Sequence, residues 1–302
     1  VTMESSVKSI GDTAFDANNK LESVIIPNSV DTIGYAAFYS CDRLKALVLP
    51  DSVTDLQVKS RGSILCQGCI SLASVVIGDG LATLPKDTFA GCISLQNVTI
   101  GSAVTAIDST AFSGCGAITT LNLRTPLVED DAKGTEQGST FLRKYFSASA
   151  SKVQHVTVGG GVTKIGMLGF WLAVGLESVT IHSTVLAIGY AAFFTCGNLK
   201  ALAIPDSVTT LKDVSSLSRL CQGCISLTSV VIGDGLATLP KNTFEGCTSL
   251  QNVTIGSAVT AIDSTAFSGC GAITTLNLRT PLVGNTYSAS STFLGKYFSA
   301  SA

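Results

Sequence analysis

Apolar residues recur along the chain in one fixed figure. "LESVIIP" at Leu21, "LKALVLP" at Leu44, "LASVVIG" at Leu72 and "LQNVTIG" at Leu95 share the skeleton L-x-x-V-x-I. "ITTLNLR" at Ile118, "VQHVTVG" at Val153, "LESVTIH" at Leu176 and "LKALAIP" at Leu199 follow it, as do "LTSVVIG" at Leu227, "LQNVTIG" at Leu250 and "ITTLNLR" at Ile273. Alternating apolar and polar positions rich in β-branched residues predict a short strand at each. A turn residue closes the strand (Pro27, Pro50, Gly78, Gly101), then come an apolar pair such as Val30 and Ile33, then Phe38, Cys41 and the next Leu. The mixed spacing of this second half predicts a tight irregular or single-turn helical return.

Successive skeletons begin 23, 28, 23, 23, 35, 23, 23, 28, 23 and 23 residues apart, so the basic period is 23. A longer repeat lies over it. Residues 66–128 and 221–283 align without gaps at an offset of 155 and differ only at Ala73/Thr228, Asp87/Asn242, Ala90/Glu245 and Ile93/Thr248. The 302 residues are therefore nearly two copies of one unit, about 1–155 and 156–302. One coil cannot fold alone. Burying about seven apolar side chains yields roughly 1.5–3 kcal/mol each, while ordering the backbone costs about 1–2 kcal/mol per residue. Stacked coils bury both flanks of every apolar side chain and pair every strand. The expected fold is a single repeat solenoid over residues 1–302: a right-handed superhelix with one parallel β-sheet and short returns.

"LESVIIPNSVDTIGYAAFYSCDRL" (Leu21–Leu44) and "LQNVTIGSAVTAIDSTAFSGCGAI" (Leu95–Ile118) carry a family likeness. Strand skeleton, turn, Ala-Phe pair and Cys in this register resemble the leucine-rich repeats of the BspA-like, or Treponema pallidum, type. The likeness runs through nearly the whole chain and weakens at the two lengthened repeats. It implies a surface or secreted protein of bacteria or protists that works in adhesion and protein binding, without a catalytic motif to carry over.

Composition narrows the function classes. The chain is 46% hydrophobic and 13% charged, with 19 basic and 21 acidic residues and a net charge of -2, so disorder is not expected. No basic stripe marks a nucleic-acid partner. The longest strongly apolar run, "IGMLGFWLAVGL" (Ile165–Leu176), is shorter than the about 20 residues of a membrane span, and no membrane insertion is expected. The chain opens without an initiator Met or a signal-peptide pattern. It starts within one strand, stops at "FSASA" and shows no evident polar cap at either end, so flanking coils, or pairing of the ends with other chains, are expected.

"CQGC" occurs at Cys66 and again at Cys221, a spacing shared with zinc sites and redox dithiols. Eight of the ten cysteines, however, hold one template slot: Cys41, Cys69, Cys92, Cys115, Cys196, Cys224, Cys247 and Cys270. Cys66 and Cys221 stand where other repeats place Phe. Free Cys packs as a small hydrophobe, and core packing is the preferred reading. A four-Cys zinc site would join pairs six coils apart, roughly 29 Å at the strand spacing of a sheet, which bond lengths of about 2.3 Å forbid. Local redox dithiols and an oxidised ladder stay open. No metal or cofactor is expected.

His155 and His182 are the only histidines. They fall on adjacent coils but about four residues apart along the strand, so they read as surface residues. No nucleophile–His–carboxylate set can be assembled, and an enzyme is not expected. Asn97-Val98-Thr99 and Asn252-Val253-Thr254 match the glycosylation sequon, but their place within strands speaks against accessibility. "GDG" at Gly78–Gly80 and Gly233–Gly235 fills the turn slot. Tyr39, Trp171 and Phe194 follow the template Phe and mark an aromatic spot on the return side.

The lengthened segments "QVKSRGSIL" (Gln57–Leu65), its counterpart "KDVSSLSRL" (Lys212–Leu220), "EDDAKGTEQGST" (Glu129–Thr140) and its counterpart "GNTYSASST" are expected to be loops, often sited on a binding face. The outward strand positions form the other candidate face. They include Ser23, Ile25, Val48, Val76, Asn97, Thr99 and Asn122 in the first copy, and Thr157, Thr180, Val231, Asn252, Thr254 and Asn277 in the second. Arg124 and Arg279 are the notable charges, at strand ends. Such a face suits a protein or glycan ligand on a host or matrix surface. The competing readings are a spacer that displays other domains and an ice- or crystal-binding lattice on Thr99, Thr157, Thr180 and Thr254. Val48, Val76, Asn122 and Ala203 interrupt that lattice.

Overall fold

In a computed structural model of the protein, residues 1–129, 140–212 and 217–284 are described. Most of Glu129–Thr140, part of Lys212–Leu220, the "GNTYSASST" counterpart after Gly284 and the final "FSASA" lie outside the described residues. Two units are present: Val1–Leu127 with Phe141–Val153, and Val128–Thr140 with Gln154–Ala302.

The L-x-x-V-x-I skeletons form four-residue strands. In the first unit β1 (Ala46–Leu49), β2 (Ser74–Ile77), β3 (Asn97–Ile100) and β4 (Thr120–Leu123) pair in parallel, in chain order. The Leu21 skeleton and the N-terminal segment before it add the parallel bridges Thr2↔Ile25 and Ser23↔Ala46. In the second unit β5 (His155–Val158), β6 (Ser178–Ile181), β7 (Ala201–Ile204), β8 (Ser229–Ile232), β9 (Asn252–Ile255) and β10 (Thr275–Leu278) do the same. Burial alternates along the strands as the sequence pattern requires: Leu47, Leu49, Val75, Ile77, Val98 and Ile100 are buried, and the residues between them face out.

The returns hold a second set of parallel ladders that the sequence pattern did not announce. Ser9–Ile10, Thr32–Ile33 and Asp55–Leu56 form one, and Thr83–Leu84 pairs with Ala106–Ile107 in another. The second unit repeats this with Lys164–Ile165, Ala187–Ile188 and Thr210–Leu211, then Thr238–Leu239 with Ala261–Ile262. The 28-residue spacing interrupts this ladder, whereas the main sheet runs past it through Val48↔Val76 and Ala203↔Val231. The added residues are therefore absorbed in the return.

Around the Phe position the return is a chain of turns, with no helix. The residues two before and two after Phe38, Ala36 and Ser40, have φ of 55° and 48°, in the left-handed region. This alternation lets every second N–H point at the next coil: Thr13, Phe15 and Ala17 donate to the carbonyls of Tyr35, Ala37 and Tyr39, each at 2.8 Å. The N–H groups between them close turns within the coil, as Asp16 does onto Thr13 and Asn18 onto Phe15. Glycine fills the later left-handed site in most coils, for example Gly68 at 78° and Gly91 at 75°, where a side chain would carry strain.

Phenyl rings fill the axis as a column. Phe15–Phe38, Phe89–Phe112, Phe170–Phe193 and Phe244–Phe267 stack with centroids 5.3–5.5 Å apart. The 35-residue spacing contains the one α-helix among the described residues, Phe141–Tyr145. Just after it Phe146 extends the column, 4.9 Å from Phe112. Ser149, three residues on, takes the Cys slot: it is buried, donates to the Cys115 carbonyl and accepts from Ile118 N at 3.2 Å.

Two substitutions test this account. Phe244→Ala should cost about 3–5 kcal/mol of unfolding free energy, the usual price of an emptied core ring. Thr195→Gly should gain about 0.5–1 kcal/mol, because Thr195 holds a left-handed φ of 51° where equivalent coils carry glycine. Denaturant unfolding of both variants measures the two signs.

Candidate binding surface

The outward strand residues stand in registered columns. In the first unit Val48, Val76, Thr99 and Asn122 are successive partners, and Ile25 precedes Val48 by one period. In the second unit Thr157 faces Thr180, while Val231, Thr254 and Asn277 form a run. Ile25, Val48 and Val231 are 62%, 52% and 40% exposed. Ser23, Asn97, Asn122, Thr157, Thr180, Asn252 and Asn277 are exposed, and Val76, Thr99 and Thr254 half-buried. Each unit thus presents uncharged side chains on a regular grid. The strand location did not hide the sequon side chains Asn97 and Asn252, because both point outward.

Charges border the face. Glu22 pairs with Lys45 at 2.8 Å in the first unit, and Glu177 pairs with Lys200 in the second, each one residue after the skeleton's first Leu. On the far border the "GDG" turns stack. Asp79 N donates to Asp51 Oδ1 at 2.8 Å, and Asp79 Oδ1 accepts from Ser102 N at 2.6 Å. A Cβ on Gly80 would lie 2.0 Å from the Asp51 carbonyl oxygen, so only glycine permits this approach. Arg124 reaches back two coils to Asp79 at 3.0 Å, and Arg279 to Asp234 at 3.2 Å. The two arginines are therefore tied to the turn stack as well as lying at strand ends. The Ser257 N–H first, with Arg279 beside it, holds the Asp234 carboxyl below 3.8.

His155 Nδ1 lies 2.8 Å from Ser178 Oγ. His182 follows Ile181, which pairs with Val158, so the two imidazoles sit at opposite ends of neighbouring strands.

The lengthened return Gln57–Leu65 lies away from the strand face. Lys59 and Gly62 exchange backbone hydrogen bonds, and Lys59 Nζ sits 2.7 Å from Asp12 and 4.9 Å above the Tyr35 ring. Beside it is a pocket of about 510 Å³, whose walls include Asp16, Tyr35, Tyr39, Arg61, Lys86 and Asp87. The second unit has a pocket of about 240 Å³ at the equivalent place, lined by Leu168, Trp171, Tyr190, Ala191, Phe194 and Arg219. Tyr39 belongs to the first pocket, Trp171 and Phe194 to the second. The pattern of strand positions gave no hint of Tyr190 or Arg219. The signal was the 155-residue offset, which places Trp171 on Asp16 and Arg219 on Ile64.

A family model described as "BspA type Leucine rich repeat region (6 copies)" matches residues 1–60, 59–132, 139–216 and 215–295. The chain belongs to the BspA-type leucine-rich repeat family. Among solved structures it is similar to a leucine rich cell surface protein from Faecalibacterium prausnitzii, at 24% identity and a TM-score of 0.41, covering 92% of this chain and 86% of that one. It is also similar to a leucine-rich repeat protein from Eubacterium ventriosum, at 20% identity and a TM-score of 0.42, covering 92% and 72%. A third likeness is to a T. pallidum leucine rich repeat protein, at 18% identity and a TM-score of 0.36, covering 76% and 78%. The comparison with curated proteins gives no match.

Within the BspA-type coil the cysteines are structural. All ten are buried and free of disulfides. In the Cys slot the thiol donates to the carbonyl of the Phe-slot residue one coil back: Cys41 to Phe15 and Cys69 to Phe38 at 3.0 Å, Cys92 to Cys66 at 3.2 Å, Cys115 to Phe89 at 3.1 Å. The second unit repeats this from Cys196 through Cys270. That carbonyl already accepts the N–H three residues on, as Phe38 does from Cys41, so the thiol engages its second lone pair. "CQGC" resolves into a Phe-column residue, a left-handed glycine and a Cys-slot donor. Burial first, then the neighbouring Cys69, pushes the Cys41 thiol up to about 11, and burial raises Cys66 and Cys221 well above the ordinary value.

Thiol titration follows directly: at about pH 8 no cysteine of the folded protein should react with an aromatic disulfide reagent, and all ten should after unfolding. A fast-reacting thiol in the folded state would refute the structural role. The Asp234 turn gives a pH test. Its folded value is depressed, so its contribution is present above 3.8 and lost as pH falls through the folded value. Asp234→Asn should therefore narrow the stability gap to wild type as the pH is lowered below that point, read from unfolding midpoints.

Proposed function

We propose that the chain is a non-enzymatic binding module that takes a protein partner on the outward face of its parallel strands. One observation carries this reading: the columns from Ile25 to Asn122 and from Val231 to Asn277 are exposed or half-buried, uncharged and partly apolar, with charges confined to their borders. A desolvatable centre with a polar rim is the usual anatomy of a protein interface. Membership in the BspA-type family supports a surface or secreted location and an adhesive role. No helix among the described residues is long and apolar enough to cross a membrane.

The test replaces Ile25, Val48 and Val231 together by serine. Capture of host-cell and matrix proteins by the intact chain is compared with capture by the variant, after circular dichroism has shown equal strand content. A drop of about tenfold or more in affinity is expected when interface anchors are removed. Unchanged capture would favour the spacer role, in which the repeats only display other parts of a protein.

A further inference from the structure

We propose that the return-side pocket of the second unit binds the uronic acid residue of an acidic saccharide, with the sugar ring against its aromatic walls and the carboxylate on Arg219. This site is separate from the strand face, and the inference does not rest on the binding role proposed for that face. The pocket's walls are the rings of Trp171, Tyr190 and Phe194, with Trp171 and Phe194 centroids 6.5 Å apart and inclined at 59°. Flat π faces accept the C–H face of a pyranose, whose axial hydrogens are the apolar side of an otherwise hydroxylated ring. At about 240 Å³ the pocket lies below the roughly 300–1,000 Å³ that enclose drug-sized ligands, which suits one ring of a chain.

The charge argument comes from the two copies. In the first unit Asp16 and Asp87 share the pocket wall with Arg61 and Lys86, so cations and carboxylates are balanced. In the second unit Trp171 replaces Asp16, Asn242 replaces Asp87, and Arg219 replaces the apolar Ile64. Among the described residues Arg219 has no carboxylate partner, and its Nε is buried without a hydrogen bond. Glu245, the carboxylate that this copy gains in place of Ala90, is engaged by Gln222 Nε2 at 2.7 Å. A guanidinium in an aromatic pocket, short of its counter-charge, is a bidentate receptor for a carboxylate.

Trp171 is the only tryptophan in the chain, so its fluorescence reports the pocket directly. The intact protein is titrated with sodium glucuronate, glucose and benzoate in parallel. The expected result is a saturable change with glucuronate, at an affinity about tenfold or more above that of both others, the worth of one charge-assisted bidentate contact. Arg219→Ile and Trp171→Asp install the first unit's own residues at positions where that unit folds with them. Arg219→Ile, which keeps the reporter, should reduce glucuronate affinity by about tenfold or more. Trp171→Asp, followed by calorimetry, should abolish binding. Equal response to glucose and glucuronate, a preference for benzoate, retention of glucuronate by Arg219→Ile, or no saturable response to any probe would each overturn the proposal.

Discussion

Every structural feature of this protein depends on registry between one coil and the next. The offsets of its hydrogen bonds show this. Backbone donors around the Phe position reach 22 residues ahead, as Phe15 does to Ala37. Thiols reach back 26 residues across a 23-residue spacing, and 31 across a 28-residue one, as Cys69 does to Phe38. The thiol offset is always the coil spacing plus three, so the chain restores the same alignment after absorbing extra residues. Stability in such a fold is a sum over neighbouring coils, and each position is chosen by what lies directly above and below it.

That constraint explains what could be read from the sequence. The main strands were legible because period 2 within a strand and period 23 between strands reinforce each other, from Val24 and Ile26 through Val253 and Ile255. The core columns were legible for the same reason. The second ladder was not, since a two-residue strand such as Thr32–Ile33 is too short to show any periodicity. Left-handed residues were visible where glycine marks them, as at Gly91, and invisible at Ala36, Ser40 and Thr195. The ties of Arg124 to Asp79 and Arg279 to Asp234 span 45 residues. They follow only once two coils are stacked. Ser149 hid its role because the 35-residue spacing breaks the count, and only the phenyl column leading to Phe146 reveals the slot.

The cysteines show how a motif can arise from geometry rather than chemistry. Most coils fill this position inside the stack with a side chain that is small, apolar and able to donate weakly to a carbonyl that already has one partner. Cysteine satisfies all three conditions. When the neighbouring Phe slot is also filled by cysteine, at Cys66 and Cys221, a C-x-x-C spacing appears. All four of its thiols are buried, and burial raises Cys66 and Cys221 well above the ordinary thiol value, the reverse of the exposed, electropositive setting that makes a thiolate.

The same constraint locates the freedom this sequence has. Residues 66–128 and 221–283 differ at four positions, whereas the returns of the earlier coils carry Thr13, Asp16 and Ile64 in one copy and Leu168, Trp171 and Arg219 in the other. None of these six lies in the strand, Phe or Cys columns, so changing them leaves the registry intact. The 28-residue spacing adds its extra residues beside these positions, where the return ladder is already interrupted. Under strict columnar constraint the returns diversify off the buried columns. The return beside the interrupted ladder is where the two copies have become chemically different: a balanced polar pocket in one, and in the other an aromatic pocket whose guanidinium has no carboxylate partner among the described residues.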